Sequence, residues 1–142
     1  MSEGGIFSIS TGRSVTAISL VLEKLKRISP SIVANGSMIY DYQNEKILYQ
    51  DTLPREFYNV VTDVLDSGLD VGIEVHAGKR VLTLRRTKET DAHQKYEGLE
   101  TTEISFDEAC KHEWNKVLYT FSDDNQFDKL KQLTLKYENK AH

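Results

Sequence analysis

The sequence predicts an α/β chain, and three observations carry that expectation. Short apolar runs alternate with amphipathic stretches whose apolar residues recur at spacings of three and four. No fixed repeat period is visible, and only two prolines and eight glycines punctuate the 142 residues. Hydrophobic residues make up 39% and charged residues 28%, the balance of a packed domain rather than a disordered chain.

The first run, Ile6-Phe7-Ser8-Ile9-Ser10, reads as a strand, and Thr11-Gly12-Arg13 as a turn after it. Ser14 is placed to cap a helix through its hydroxyl. In that helix Val15, Ile18, Val21, Leu22, Leu25 and Ile28 are expected on one face, with Pro30 ending it. A short strand, Ser31 to Ala34, is broken by Asn35-Gly36, a pair that tolerates positive φ. Met38–Tyr42 and Lys46–Gln50 read as a hairpin joined by Gln43-Asn44-Glu45.

Pro54 suits the start of a second helix, in which Phe57, Val60, Val61, Val64 and Leu65 make the best helical stripe in the chain. Gly68 is placed to end it. Val71, Ile73 and Val75 alternate with Gly72, Glu74 and His76, the pattern of a half-buried strand. Ala77-Gly78-Lys79 turns the chain into Val81–Leu84 as a second hairpin. From Arg85 to Gly98 the pattern weakens to polar helix or loop. Ser105-Phe106-Asp107-Glu108 is a capping-box signature. Val117–Phe121 reads as a strand, and Ser122-Asp123-Asp124 opens a last helix with Phe127, Leu130, Leu133 or Thr134, and Tyr137 on one face.

Composition excludes several classes. A net charge of -4 argues against generic nucleic-acid binding, because phosphate neutralisation needs a cationic surplus. No apolar run reaches the roughly 18 residues of a membrane span. The single cysteine, Cys110, excludes an internal disulfide and a cysteine-rich zinc site, and it reads as a small hydrophobe rather than a nucleophile. With no export signal at Met1–Gly5, a reducing cytoplasm is the expected compartment.

Chemistry is expected at the turn between the first strand and the first helix. There, free N–H groups and the helix dipole favour an anion, Thr11 and Ser14 add hydroxyls, and Arg13 adds a planar fork suited to phosphate. On spacing alone an ordinary, well-capped βα turn remains the alternative. Asn35-Gly36 closes the next strand on the same edge, where Asn could reach a ligand or simply turn the chain. His76, His93, His112 and His142 share no metal-ligand spacing and read as surface or interface residues. Lys79, Arg80, Arg85, Arg86 and Lys88 read as a solvated edge that discourages strand pairing, or as a surface facing a phosphorylated substrate.

Residues 6–42 resemble the haloacid dehalogenase-like phosphatases of the Cof kind. The resemblance rests on Thr11-Gly12-Arg13 after a strand, then Asn35-Gly36-Ser37 after the next strand, with Ile39 and Asp41 in a following hairpin. Ser37 stands where the family has Ala. Leu53-Pro54-Arg55-Glu56, the striped helix, the Val71 hairpin and Lys116-Val117-Leu118 resemble the α/β cap that such enzymes insert at this point. The resemblance implies a partial doubly wound (Rossmann-like) core at residues 1–42 and an α/β cap at 43–142.

It further implies magnesium-dependent hydrolysis of a phosphate monoester, a small phosphorylated metabolite such as a sugar phosphate, through an aspartyl-phosphate. Thr11, Gly12 and Arg13 then take the phosphate-binding role, and Asn35 and Gly36 face the substrate cleft. The family's nucleophilic Asp-x-Asp does not occur in these 142 residues, nor do its later lysine motif and its closing acidic motif. The chain is therefore expected to be a fragment without catalytic residues or magnesium ligands of its own, and inactive alone. The alternative from another class is a non-catalytic binding or interaction module. An incomplete core would expose apolar surface, so a homo-oligomer is expected.

Overall fold

The computed structural model describes residues 5–22, 25 and 28–138. The chain is α/β, with two three-stranded sheets formed by successive parts of the sequence.

The Ile6–Ser10 run is extended but pairs only at isolated points. Phe7 bridges Ile28 and Ser10 bridges Ile32, both in parallel, and the Ile32 amide donates to the Ile9 carbonyl at 2.8 Å. Helix α1 spans Val15–Leu22, with the Ser14 hydroxyl accepting from the Ala17 amide at 3.2 Å as its cap. Val15, Ile18 and Leu22 are buried, as the spacing requires. Val21 is 52% exposed, a correction to the expected stripe: it is about 100° round the helix from Leu22, and only one of the two can face the core. Leu25 lies beyond the end of α1 and is also exposed, so the helix stops well short of Pro30.

Strands β1 (Ser31–Val33), β2 (Met38–Asp41) and β3 (Lys46–Gln50) form an antiparallel meander in that order. The β2–β3 turn is pinned by Asp41, whose Oδ1 accepts from the Gln43 and Asn44 amides at 3.0 and 3.1 Å. Val15, Val33, Met38 and Tyr40 make a small core between α1 and this sheet, and Ile18, Leu22 and Ile28 extend it.

The second sheet has the order β5-β4-β6, built from β4 (Gly72–Ala77), β5 (Arg80–Arg85) and β6 (Lys116–Thr120), all antiparallel. Helix α2 (Glu56–Asp66) presents Tyr58, Val61 and Val64 to the main core, where they meet Val71, Ile73, Val75 and Trp114. Tyr58 stacks on Trp114 with ring centroids 3.7 Å apart. Gly68, at φ +71°, turns the chain out of α2. Helix α3 (Lys88–Glu97), the short α4 (Phe106–Ala109) and α5 (Asp124–Leu135) complete the unit. Ser105 caps α4 and Asp123 caps α5, as expected. On α5, Leu130 is buried but Phe127 is half exposed beside Phe121.

The expectation of a half-buried β4 is corrected: all six of its residues are buried. It is the central strand, and α3 covers the face that was expected to meet water. That face holds Gly72, Glu74 and His76. At Gly72 the cover is so close that a Cβ would overlap Thr90 Oγ1 and Thr120 Oγ1. α3 packs there through hydrogen bonds rather than an apolar stripe, which is why its sequence read as polar helix or loop.

The basic cluster is also only partly a solvated edge. Arg85 is half-buried and donates to the carbonyls of Leu69 and Leu65, at 2.7 and 2.8 Å, near the end of α2. The two sheets meet through polar links. Leu53 N donates to Trp114 O at 2.6 Å, Asn115 Nδ2 to Asp51 O at 2.6 Å and Thr16 Oγ1 to Lys79 O at 3.0 Å.

Candidate functional site

The Thr-Gly-Arg turn is zipped to the Asn-Gly turn by backbone bonds. Thr11 N donates to Ile32 O at 3.0 Å, Asn35 N to Thr11 O at 3.3 Å and Ala34 N to Arg13 O at 2.9 Å. Those bonds hold Ala34, Asn35 and Gly36 in succession at φ +50°, +60° and +95°. Two non-glycine residues in the left-handed region cost about 1 kcal/mol or more each, so the surroundings must impose the conformation. The sequence singled out both turns, and the fold brings them together.

Gly12 lies under the Asn35 carboxamide. A Cβ at Gly12 would fall 3.0 Å from Asn35 Oδ1 and 3.1 Å from Nδ2. The amides of Gly12 and Ser14 donate to no protein group among the described residues. Thr11 Oγ1 accepts from the Arg13 amide at 3.2 Å, which leaves its own proton to donate outward. Two amides, one hydroxyl and the start of α1 thus present donors suited to an oxyanion. Arg13 reaches away from the turn: its Nε pairs with Glu97 Oε1 at 3.2 Å and its guanidinium lies 5.2 Å from the Tyr96 ring centroid. Gly36 is exposed and contributes backbone freedom.

Sequence reasoning missed the groups that face the turn from the second sheet. Lys116, from β6, donates its Nζ to Gly12 O at 3.0 Å. Burial holds the Lys116 ammonium below its usual pKa, while Glu97 and Glu74 oppose that shift. Between Gly12-Arg13-Ser14 and the second sheet is a cavity of about 240 Å³, also lined by Asn35, His76, His93 and Glu97. Glu74, fully buried, receives His93 Nδ1 at 2.7 Å and Gln94 Nε2 at 2.6 Å. Gln94 Nε2 also donates to Thr83 Oγ1 at 2.8 Å. His76 is buried, and burial pushes its pKa down to about 4, with Lys116 and His93 adding to the shift.

The expectation of surface histidines is therefore wrong for His76, which is buried, and incomplete for His93, which is held by a buried carboxylate. The available signals were Glu74 and His76 at i, i+2 on one strand face and His93 and Glu97 at i, i+4 on one helix face. His142 lies outside the described residues.

A larger cavity, about 610 Å³, is also bordered by Asn35 and lies against Leu53, Phe57, Val60, Val117 and Tyr119. Cys110 is half-buried, and burial raises its thiol pKa, so it is not an activated nucleophile.

The sequence profile of the haloacid dehalogenase-like hydrolases matches residues 1–141. The chain belongs to that family. None of the curated proteins matches it. Solved structures share the fold of this haloacid dehalogenase-like chain. One is a haloacid dehalogenase-like hydrolase from Bacteroides thetaiotaomicron, with TM-score 0.80 and 15% identity over 94% of this chain and 52% of that one. Another is a HAD/COF-like hydrolase from Plasmodium vivax, with TM-score 0.71 and 24% identity over 93% and 49%. A third is a HAD subclass IIB sugar phosphatase, with TM-score 0.67 and 16% identity over 87% and 47%. The haloacid dehalogenase-like chain described here spans about half the length of these structures.

Proteins of this family generally use magnesium. Among the described residues no three His, Cys, Asp or Glu side chains converge to hold a metal ion. Asp41 is spent on its hairpin and Asp123 on capping α5. Around the two cavities that Asn35 borders, the one carboxylate is Glu97, held by Arg13. The described residues do not fit a magnesium site. Among the described residues no helix is long and apolar enough to cross a membrane.

Proposed function

We propose that this chain carries the phosphate-recognition turn and the covering α/β unit of a phosphatase, one that hydrolyses a small phosphorylated metabolite. Thr11, Gly12 and Ser14 receive the phosphoryl oxygens. Asn35 forms the wall of the cleft, and Lys116 and Arg13 tie the covering unit to the turn. The core part was expected at residues 1–42 and the cap at 43–142; because β3 pairs with β2 in the first sheet, the boundary moves to about residue 50. The observation that carries this reading is that the amides of Gly12 and Ser14, beside the Thr11 hydroxyl just before α1, have no partner among the described residues.

Family chemistry proceeds through an aspartyl-phosphate with magnesium, which offsets the repulsion between nucleophile and phosphate. The carboxylates near the turn do not supply that chemistry, since Glu97 is committed to Arg13. On this reading the 142 residues bind a phosphate without cleaving its ester. The test is hydrolysis of p-nitrophenyl phosphate with and without magnesium. No magnesium-dependent turnover is expected, and clear turnover by the pure chain would overturn the proposal of inactivity.

A second reading, an interaction module, is favoured by one observation. Ile6 (74% exposed), Phe7 (58%) and Ile32 (41%) expose apolar side chains around the Ile6–Ser10 segment. Surface of that kind promotes pairing with a second copy of the chain, in a reducing, cytoplasmic setting.

A further inference from the structure

The fully buried Glu74 sets the chemistry of His93. Its Oε1 accepts from Gln94 Nε2 at 2.6 Å, and its Oε2 lies 2.7 Å from His93 Nδ1. An ionised carboxylate only accepts, so this network puts the proton of the neutral ring on Nδ1 and the lone pair on Nε2. His93 Nε2 has no partner among the described residues, and unlike the ring nitrogens of His76 it is not shut away from solvent. With Nδ1 turned to Glu74, Nε2 is the nitrogen left for the cavity of about 240 Å³ that His93 lines with Gly12, Arg13, Ser14 and Lys116. A carboxylate-oriented imidazole with a bare nitrogen thus borders the donors of the Thr11–Ser14 turn.

Such a nitrogen is a nucleophile, and the electrophile that an oxyanion-holding turn presents to it is phosphorus. The carboxylate that orients the ring also stabilises the positive charge the ring gains when its lone pair is used. The leaving group decides which phosphates can react. An alkyl ester must expel a strongly basic alkoxide. An acyl phosphate expels a weakly basic carboxylate, and the Lys116 ammonium in the same cavity offsets that group's charge.

We infer that His93 Nε2 is a phosphoryl acceptor, and that it takes the phosphoryl group of an acyl phosphate held by the Thr11–Ser14 turn. The Nε2 lone pair forms an N–P bond while the P–O bond to the acyl group breaks, and that electron pair leaves with the carboxylate. Nδ1 keeps its proton, and Glu74 faces the resulting positive ring. Water then attacks phosphorus, the N–P bond breaks, inorganic phosphate leaves and Nε2 regains its lone pair. The inference rests on the reading of the turn as a phosphate site, and adds a covalent acceptor on α3 that the sequence pattern did not show.

The test uses the whole chain and three probes: acetyl phosphate, propyl phosphate and inorganic phosphate. Peptide mass mapping and phosphorus NMR follow an acid-labile phosphoryl group, and amide spectra follow Gly12 and Ser14. Acetyl phosphate is expected to label His93 at least about tenfold faster than His112, which is also half-buried but has no hydrogen-bonded carboxylate among the described residues. Propyl phosphate is expected to label neither, and excess inorganic phosphate is expected to shift both amides and slow the labelling. If the amides respond but His93 is labelled no faster than His112, or no more slowly under excess phosphate, the inference fails and the phosphate turn stands. If the amides respond to no probe, the reading of the turn fails and takes the inference with it.

Substitution gives a second arm. Glu74→Gln keeps the shape of the side chain but turns an amide donor to Nδ1, which moves the ring proton to Nε2 and removes the lone pair. Labelling is expected to fall at least about a hundredfold, as when an imidazole is held in the wrong tautomer. The nitrogen shifts of the His93 ring report that change of tautomer, which a purely structural role for Glu74 does not produce. His93→Gln keeps the fold testable if the buried substitution unfolds the chain, and is expected to abolish the label. A phosphoryl group that still appears at the wild-type rate in either folded variant would overturn the inference.

Discussion

Lys116 Nζ donates to the Gly12 carbonyl oxygen at 3.0 Å, so a side chain of the second sheet holds the backbone of the turn that follows the first strand. A half-buried ammonium is retained there because the carbonyl and the nearby Glu97 and Glu74 offset part of its desolvation. The contact ties the geometry of the turn to the placement of β6.

Lys116→Met removes that link while keeping most of the stem. The expected outcome is an altered Gly12 amide environment and phosphate binding weakened by about three- to tenfold, since a charged hydrogen bond is worth about 1.5–3 kcal/mol and only part of it reaches the turn. Stability should change by less than about 1 kcal/mol, because burying the ammonium is itself unfavourable. Amide spectra and a phosphate titration check both.

Gly72→Ala tests the close approach of α3 to β4. The added Cβ overlaps Thr90 Oγ1 and Thr120 Oγ1, and turning either hydroxyl away breaks the hydrogen bond between them, with Thr90 also losing its bonds to Thr87 N and Arg85 O. A loss of about 2–3 kcal/mol is expected, as for overpacking a tight core. Urea unfolding measures it. Gly78→Ala in the hairpin is a useful contrast: its Cβ meets nothing, and any cost there comes from φ +60° alone.

His76 gives the fold a pH dependence whose sign can be worked out. Its pKa is pushed down to about 4 from 6.5, chiefly by burial. Below pH 6.5 the unfolded chain takes up a proton that the folded chain refuses until about pH 4. Stability therefore falls as pH drops through that window, by up to about 3 kcal/mol from this group. Denaturant midpoints of the wild type and His76→Leu between pH 4 and 7 check it. The variant should show a flatter profile.

How much of this was legible in the sequence depends on what holds each element. α2 and the two hairpins were legible because an apolar stripe and turn residues such as Gly68 are local signals. So was the Thr11–Ser14 turn, whose residues serve their own backbone. α3 was not, because it docks through His93 and Gln94 onto Glu74 and Thr83 and through Thr90 onto Thr120, and partners distant in sequence leave no periodicity. The burial of β4 was misread for the same reason: alternation shows that two faces differ, not that one of them meets water. Lys116 and His76 were missed as site residues because each meets the turn only through the packing of the second sheet against it. Arg13 was legible as a cation at the turn, but not as the partner of Glu97.

The exposed Ile6, Phe7 and Ile32 make self-association measurable. Light scattering behind size exclusion is expected to show a mass above the 16.2 kDa monomer, rising with concentration. Ile6→Ser with Phe7→Ser should lower it. A monomer at every concentration would remove the support for an interaction module.

The central claim is that the Thr11–Ser14 turn binds a phosphate group. Titrating inorganic phosphate into the whole chain while following the Gly12 and Ser14 amides tests it most directly. The account expects saturable downfield shifts at those two amides, weakened in Thr11→Val. Shifts absent from both, or no different in Thr11→Val, would contradict it.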